Sequence, residues 1–564
     1  MMIFHRRTRQ LVISLGIISL LCVLYYVFHL QTLDDQPLRM KGYAHVTLPL
    51  NHIPNAKWEC TGSDRHKSCI VENLCIDAQT GGFIVVDDDA IVEPFKVNVI
   101  NADTMADWYF EPAIKRRSSL DSSPTPLMSD TLFVYGLYSP RHYAHMLFNG
   151  LIPLYKTMRN HQAKRTSWTY RAHVAMQDDH GAPLLTTRIM TDGKDIVRQG
   201  SALSTDQQML LPHQPICFAK AVVGSGLACS LTSYCHTPIL AEEYAAFRAD
   251  TLGNLVHQHL WDTNVIAKSQ DQGLACVRNM KTTFVRPTLA NGSGDGALPP
   301  VERTIAIINR RSRHITNIPE VIAALQRTNA TLGIHYVINE IDFDEGCSLA
   351  SSAYLLEHTD VLLTPHGSQE AAALFMKDNG VVLSIDGRGY QEIWFHFVMT
   401  AMGRRFYNFE CHEDICTEID RKLFDKMRNI YKFPMIPSEE EIQGCLAWEN
   451  GVLVRDCYRA RLKERHIYRE DDEARLVEGI SSYLKDTPRK VNVARLMPFL
   501  ERTLREMSEF EHENADYRMI CDAKKCCGDA CEWALETVVY GSQLEGRMKA
   551  WPDKIGEPQG NWIE

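Results

Sequence analysis

Arg310, Arg313, His366 and Gly367 are the residues whose types and placement best suit the holding of an anion. Residues 360–376 read DVLLTPHGSQEAAALFM, an apolar run that stops at Thr364-Pro365, turns on His366-Gly367 and becomes Ala-rich. The pattern predicts a buried strand, a tight turn and a helix N-terminus in succession. Gly367 permits close backbone approach, and free amides at the new helix would form an anion site beside an imidazole. The competing reading is an ordinary turn with a solvated His. Arg310-Arg311-Ser312-Arg313 follows the apolar run TIAIIN at 304–309 and supplies planar guanidinium forks suited to phosphate. A second candidate is Asp87-Asp88-Asp89 after Ile84-Val85-Val86, where Asp87 and Asp89 give hard oxygen ligands at i and i+2 for a divalent metal. The apolar residues 90–92 follow at once, as they would after a hairpin turn.

The elements that must position these residues follow an α/β pattern beyond a Gly-, Ser- and Pro-containing linker at 288–300. Strands are predicted at 304–309, 335–338, 360–363 and 381–385, with helices at 319–328, at 348–358 and after Gly367. Strands alternating with helices at this spacing imply a parallel, doubly wound sheet, whose ligands sit at the carboxyl ends of strands. The arginine cluster, the His366-Gly367 turn and Asp386-Gly387-Arg388 each fall at such an end, an arrangement that favours a diphosphate ligand. No Walker loop or GxGxxG is present, so ATPase and dinucleotide-oxidoreductase readings lack their usual signal.

Residues 11–30 form an apolar stretch without a charged side chain, about the 20 residues that span a bilayer. Arg6, Arg7 and Arg9 precede it and Asp34 and Asp35 follow, which predicts a signal-anchor with a cytosolic tail at 1–10. A cleavable signal peptide is the competing reading, but the stretch exceeds the usual h-region and lacks a small-residue cleavage site. Residues 31–57 then read as a stem. Of 17 cysteines, Cys22 lies in the span, leaving an even number for an oxidising lumen, where disulfides are expected rather than a zinc site. Sequons at Asn291 and Asn329 fit lumenal exposure. A chain of 564 residues calls for two domains plus extras, and a net charge of −10 argues against a nucleic-acid partner. The charge-dense stretches 459–478 and 501–517 read as exposed helices.

Taken in order, Trp58-Glu59-Cys60, Cys69, Asn73-Leu74-Cys75, Cys217-Phe218 and Ala221-Val222-Val223-Gly224 begin a familiar series. Arg310, Arg313 and Asn317 continue it, then Pro365-His366-Gly367 and Leu374-Phe375-Met376. This series resembles glycosyltransferase family 61, which contains plant cell-wall xylosyl- and arabinosyltransferases and animal O-linked N-acetylglucosaminyltransferases of the secretory pathway. The resemblance covers roughly residues 58–410. It implies a GT-B-like pair of Rossmann-type lobes, with an acceptor lobe at 58–300, a donor lobe at 301–410 and a Cys-rich helical extension at 411–564. It further implies an inverting, metal-independent transfer from a UDP-sugar to a glycan or glycoprotein hydroxyl, with no cofactor. The donor would be held by Arg310, Arg313, His366 and Gly367, and the enzyme would sit as a single-pass type II protein in the Golgi or endoplasmic reticulum membrane.

One motif departs from the family pattern. Where members usually carry an Asn-x-x-His-x-x-x-Asp-like run before Pro-Leu, this chain has His142, His145 and Asn149 before Pro153-Leu154. An amide cannot take the acceptor proton, so the expected base is His145, with His142 or a distant carboxylate as alternatives. Two further readings stay open: a GT-A-like transferase using a metal at Asp87 and Asp89, and an inactive lumenal glycan-binding homologue.

Overall fold

The computed structural model describes residues 45–62, 67–76, 82–87, 96–98, 109–137, 142–161, 173–178, 186–189, 215–224, 228–229, 237–257, 263–268, 272–285, 302–332, 334–378, 380–387, 404–410, 420–432 and 482–513, with single residues or pairs between them. The expected span at 11–30, Asp88, Asp89, Asn291 and the cysteine cluster at 521–531 lie outside these residues. Among the described residues no helix is long and apolar enough to cross a membrane.

Residues 47–564 form one compact unit, of mixed α/β construction. Its second sheet is the simpler to derive. The apolar strands Glu302–Asn309, His335–Asp342, Val361–Pro365, Val381–Asp386 and Arg405–Glu410 run parallel. They lie in the order second, first, third, fourth, fifth, with Lys281–Val285 added antiparallel at one edge. This is the doubly wound order whose reversal falls between the first and third strands, Glu302–Asn309 and Val361–Pro365. Both faces are buried, which explains the near-continuous apolar runs. Ala306, Ile308, Leu362, Val382 and Phe406 face one cluster, and Ile305, Ile307, Val361, Leu363, Leu383 and Tyr407 face the other.

The second of these clusters is closed by the helix Ile318–Leu332 and by the helix Val493–Glu513, through Leu496, Met497, Leu500, Leu504 and Met507. The sequence reading took residues 501–517 for an exposed helix. The dense charges on its outer face hid an apolar stripe at helical spacing that belongs to the core. The stretch drawn as a separate extension therefore supplies part of the sheet's cover. Conversely, Lys281–Val285, drawn within the preceding lobe, is a strand of this sheet.

The first sheet is mixed. His173–Asp178, Pro124–Leu137 and Ile216–Val223 are parallel neighbours, whereas Ser68–Ile76 joins Ile216–Val223 antiparallel. Parallel winding is thus carried through the second sheet but confined mainly to three strands in the first. Two disulfides lie between directly paired residues here, Cys60–Cys69 and Cys75–Cys217. The second spans 142 residues, a closure worth about 5 kcal/mol in the chain-entropy account. A third bond joins Cys276 and Cys347, which looked isolated in the sequence.

Candidate functional site

The loop after the first parallel strand is shaped by one side chain. Asn309 Oδ1 accepts from the backbone N–H of Arg310 at 3.0 Å and of Ile315 at 2.9 Å, while its Nδ2 donates to Ile315 O at 3.2 Å. The loop is therefore closed on itself, and Arg313 sits at its tip with φ 59° in the left-handed region. The segment beyond is tied down by Asn317, whose amide exchanges two 2.9 Å hydrogen bonds with the backbone of Val491. A parallel bridge from Ile315 to Arg489 extends that contact.

Each arginine is oriented by a carboxylate from another element. Arg310 donates through Nε and Nη2 to Asp344 Oδ1 at 3.4 and 3.3 Å, and Asp344 lies just past the second strand. Arg313 Nε donates to Asp486 at 2.9 Å. Their remaining ends converge: Arg310 Nη1 reaches Gln369 Oε1 at 3.4 Å and Arg313 Nη1 reaches His366 O at 3.3 Å. A Cβ placed on Gly367 would lie 3.0 Å from Arg313 Nη1 and 3.2 Å from Arg310 Nη1. Glycine is thus what lets two guanidinium groups close over the third strand's end. The structure brings Arg310, Arg313, His366 and Gly367 together at the reversal of strand order.

The turn differs in kind from the sequence expectation. The helix after Gly367 is a 3-10 helix, Ser368–Phe375, with every residue buried. The His366 ring is not a surface imidazole. It is fully buried, with Nδ1 3.6 Å from Glu370 and 3.7 Å from Asp386, and its edge meets Phe395. Beneath it Gln369 Nε2 donates to Thr364 Oγ1 at 2.9 Å and to Pro365 O. Arg489 completes the group. Its side chain is fully buried, and Nη1 and Nη2 donate to the carbonyls of Thr487 and Lys485. Burial pushes its guanidinium down to about 10, against the pull of Asp386, Asp486 and Glu370.

The second candidate group stands on a π-helical turn, His145–Leu151, that runs into the helix Ile152–His161. His142 Nδ1 accepts from the His145 backbone N–H at 3.4 Å, a capping bond, and the two rings are 4.4 Å apart. His145 is half-buried, and its Nδ1 lies 2.8 Å from Asn149 Oδ1. Pro153 lacks the N–H that an α-helix would direct at the Asn149 carbonyl. Tyr135 Oη donates to that carbonyl instead, at 3.1 Å. Tyr143 seats this turn edge-on against Phe343, the residue before Asp344. The His turn and the arginine edge are thereby linked through neighbouring residues.

Asp87 is buried, and its backbone N–H donates to Lys115 O at the end of the strand Phe83–Val86. Its partner in the metal reading, Asp89, lies outside the described residues, among which no cluster of His, Cys, Asp and Glu could hold a metal. Sequence reasoning missed Asn309, Asp344, Gln369, Glu370, Asp486 and Arg489. Gln369 and Glu370 stood in the quoted run, whereas Asp486 and Arg489 gave no local signal because they reach the edge from 173 residues downstream.

A doubly wound α/β sheet with a cationic turn at its reversal point belongs to the class of folds that bind ligands outside their strand ends. Residues 143–383 match the family model Glycosyltransferase 61, and this stretch of the chain is a glycosyltransferase 61 region. The family resemblance read from the residues is borne out there, and it supports glycosyltransferase activity on a donor and an acceptor. The match includes His145, Asn149, Arg310, Arg313, His366 and Gly367, while Asp486 and Arg489 lie beyond it. No curated protein matches the chain.

Proposed function

We propose that this protein is an inverting, metal-independent glycosyltransferase that moves a sugar from a UDP-sugar to a hydroxyl of a glycan or glycoprotein. The observation that carries the reading is the convergence of Arg310 and Arg313 over Gly367 at the strand-order reversal. Two planar cations there would bind the diphosphate and stabilise the charge it gains as the glycosidic bond breaks. The deeply buried His366, Glu370 and Asp386 group fixes the turn from below. The two sheets would serve as GT-B-like lobes, the first presenting the acceptor and the second the donor. His145 is the base: its imidazole takes the acceptor proton as the oxygen attacks the anomeric carbon. With residues 11–30 as a signal-anchor, the enzyme would work in the lumen of the Golgi or endoplasmic reticulum, where its disulfides are stable.

Incubating the lumenal part with several UDP-sugars and following UDP release tests the activity. Turnover should survive EDTA; complete loss restored by manganese would move the site to Asp87 and Asp89. His145→Ala should lower turnover by roughly two to four orders of magnitude with donor affinity retained. Wild-type turnover in that variant would remove the base assignment. For topology, the bulk of the chain should resist added protease in sealed microsomes, and cleavage without detergent would refute the orientation.

A further inference from the structure

Asn149 stands against the His145 ring, and the contact between them bears on which ring nitrogen can act. An imidazole can accept a proton from an acceptor hydroxyl only through a nitrogen that carries a lone pair, and its two tautomers put that lone pair on different atoms. Asn149 Oδ1 is the amide atom that faces His145 Nδ1, at 2.8 Å; because an amide oxygen accepts and never donates, this arrangement puts the proton on Nδ1. The lone pair is then on Nε2.

Three further observations make Asn149 a rigid partner. Its side chain is buried, with 1% exposure. Its carbonyl is held by Tyr135 because Pro153 vacates the helical bond. It also follows His145 by four residues on the π turn, so both side chains leave the same face. The neighbouring His142 holds the complementary tautomer, its Nδ1 lone pair receiving the His145 backbone N–H. Of two adjacent imidazoles, one is committed to capping and the other is held with Nε2 as its basic nitrogen.

We propose that Asn149 is a positioning residue that fixes His145 in the Nδ1–H tautomer, so that Nε2 receives the acceptor proton. The proposal rests on the reading of His145 as the base. In the step itself the acceptor O–H bond breaks, its proton goes to Nε2 and the oxygen forms the new bond to the anomeric carbon. The old carbon–oxygen bond releases its electron pair to the nucleotide diphosphate. A neutral amide orients the ring without stabilising imidazolium as a carboxylate would, so the enzyme keeps a weaker, readily discharged base.

The test is an imidazole 15N spectrum of the wild-type protein with labelled histidine, with the His145 signals assigned from their loss in His145→Gln. At a pH where the ring is neutral, a proton on Nδ1 is expected, and a proton on Nε2 would overturn the proposal while leaving the base reading intact. Asn149→Leu should shift the tautomer population and lower kcat by roughly tenfold to a hundredfold with the donor KM unchanged, less than loss of the base itself. Asn149→Asp, which keeps an acceptor, should hold the tautomer and restore most of kcat. Wild-type kcat in Asn149→Leu would overturn the role of Asn149, and wild-type turnover in His145→Ala would overturn it together with the base reading.

Discussion

The five-residue strand Val361–Pro365 has a charge group at each end, and the two are built on opposite principles. At its start Asp360 accepts from the Thr304 backbone N–H at 2.8 Å, from Arg303 at 3.3 Å and from Lys377 at 3.0 Å. One carboxylate is enclosed by dedicated donors, and nothing about the group invites a ligand. At the other end Arg310, Arg313, Arg489 and His366 meet Asp344, Asp486, Asp386 and Glu370, drawn from five separate parts of the chain. There the Nη1 contacts over Gly367, at 3.3–3.4 Å, are made to neutral acceptors, an amide oxygen and a backbone carbonyl. A closed network holds strands together, whereas a convergent one whose cations meet neutral acceptors at the tip can exchange those contacts for an anion.

The two ends should therefore fail differently. Asp360→Ala removes the partner of a guanidinium that is only 3% exposed, and breaking such a pair should cost about 3–5 kcal/mol of folding stability. Thermal unfolding should show a large fall, with UDP affinity kept in whatever remains folded. Arg310→Ala and Arg313→Ala should do the reverse, weakening UDP by about 1.5–3 kcal/mol in calorimetry with little change in unfolding temperature. Arg313→Lys should not fully rescue, because a point charge lacks the fork. Wild-type UDP affinity in both alanine variants would end the donor assignment.

Gly367→Ala sharpens the comparison further. Its methyl would meet the movable ends of both arginines and the Gln369 oxygen at 2.7 Å, so a loss on the order of 1 kcal/mol in UDP binding is expected. The smallest effect concerns His161, at the end of the helix Ile152–His161. Burial, and then Lys220, lowers its pKa below the ordinary His value. The folded state therefore binds fewer protons than the unfolded one, and stability falls as pH drops through about 6.5 toward the lowered value. Denaturant melts across that window should show the slope, and His161→Gln should flatten it.

The sheet could be read from the sequence because alternating buried runs report strands directly. The helix Ile318–Leu332 and the Ser348 cap of Leu349–Leu356 fell near their expected places for the same reason. What could not be read was anything set by distant pairing. Asp486 and Arg489 sit in an unremarkable stretch and matter only because Asn317 docks Val491 against the arginine loop. The His366 environment was hidden too, since periodicity marks a residue as buried or exposed but does not name the carboxylates it will meet. The contact of Asn149 with the His145 ring was hidden as well, since it is set by the π turn that carries both residues.

The docking of Val491 on Asn317 sets a schedule for synthesis. Arg313 and its partner Asp486 are 173 residues apart, and at 5–20 residues per second a ribosome needs roughly ten to thirty-five seconds to deliver that interval. Throughout that interval the nascent chain can form strands but cannot finish the edge on which the arginines are set. A half-made polypeptide therefore lacks both the carboxylate that holds Arg313 and the helix Val493–Glu513 that covers the sheet face.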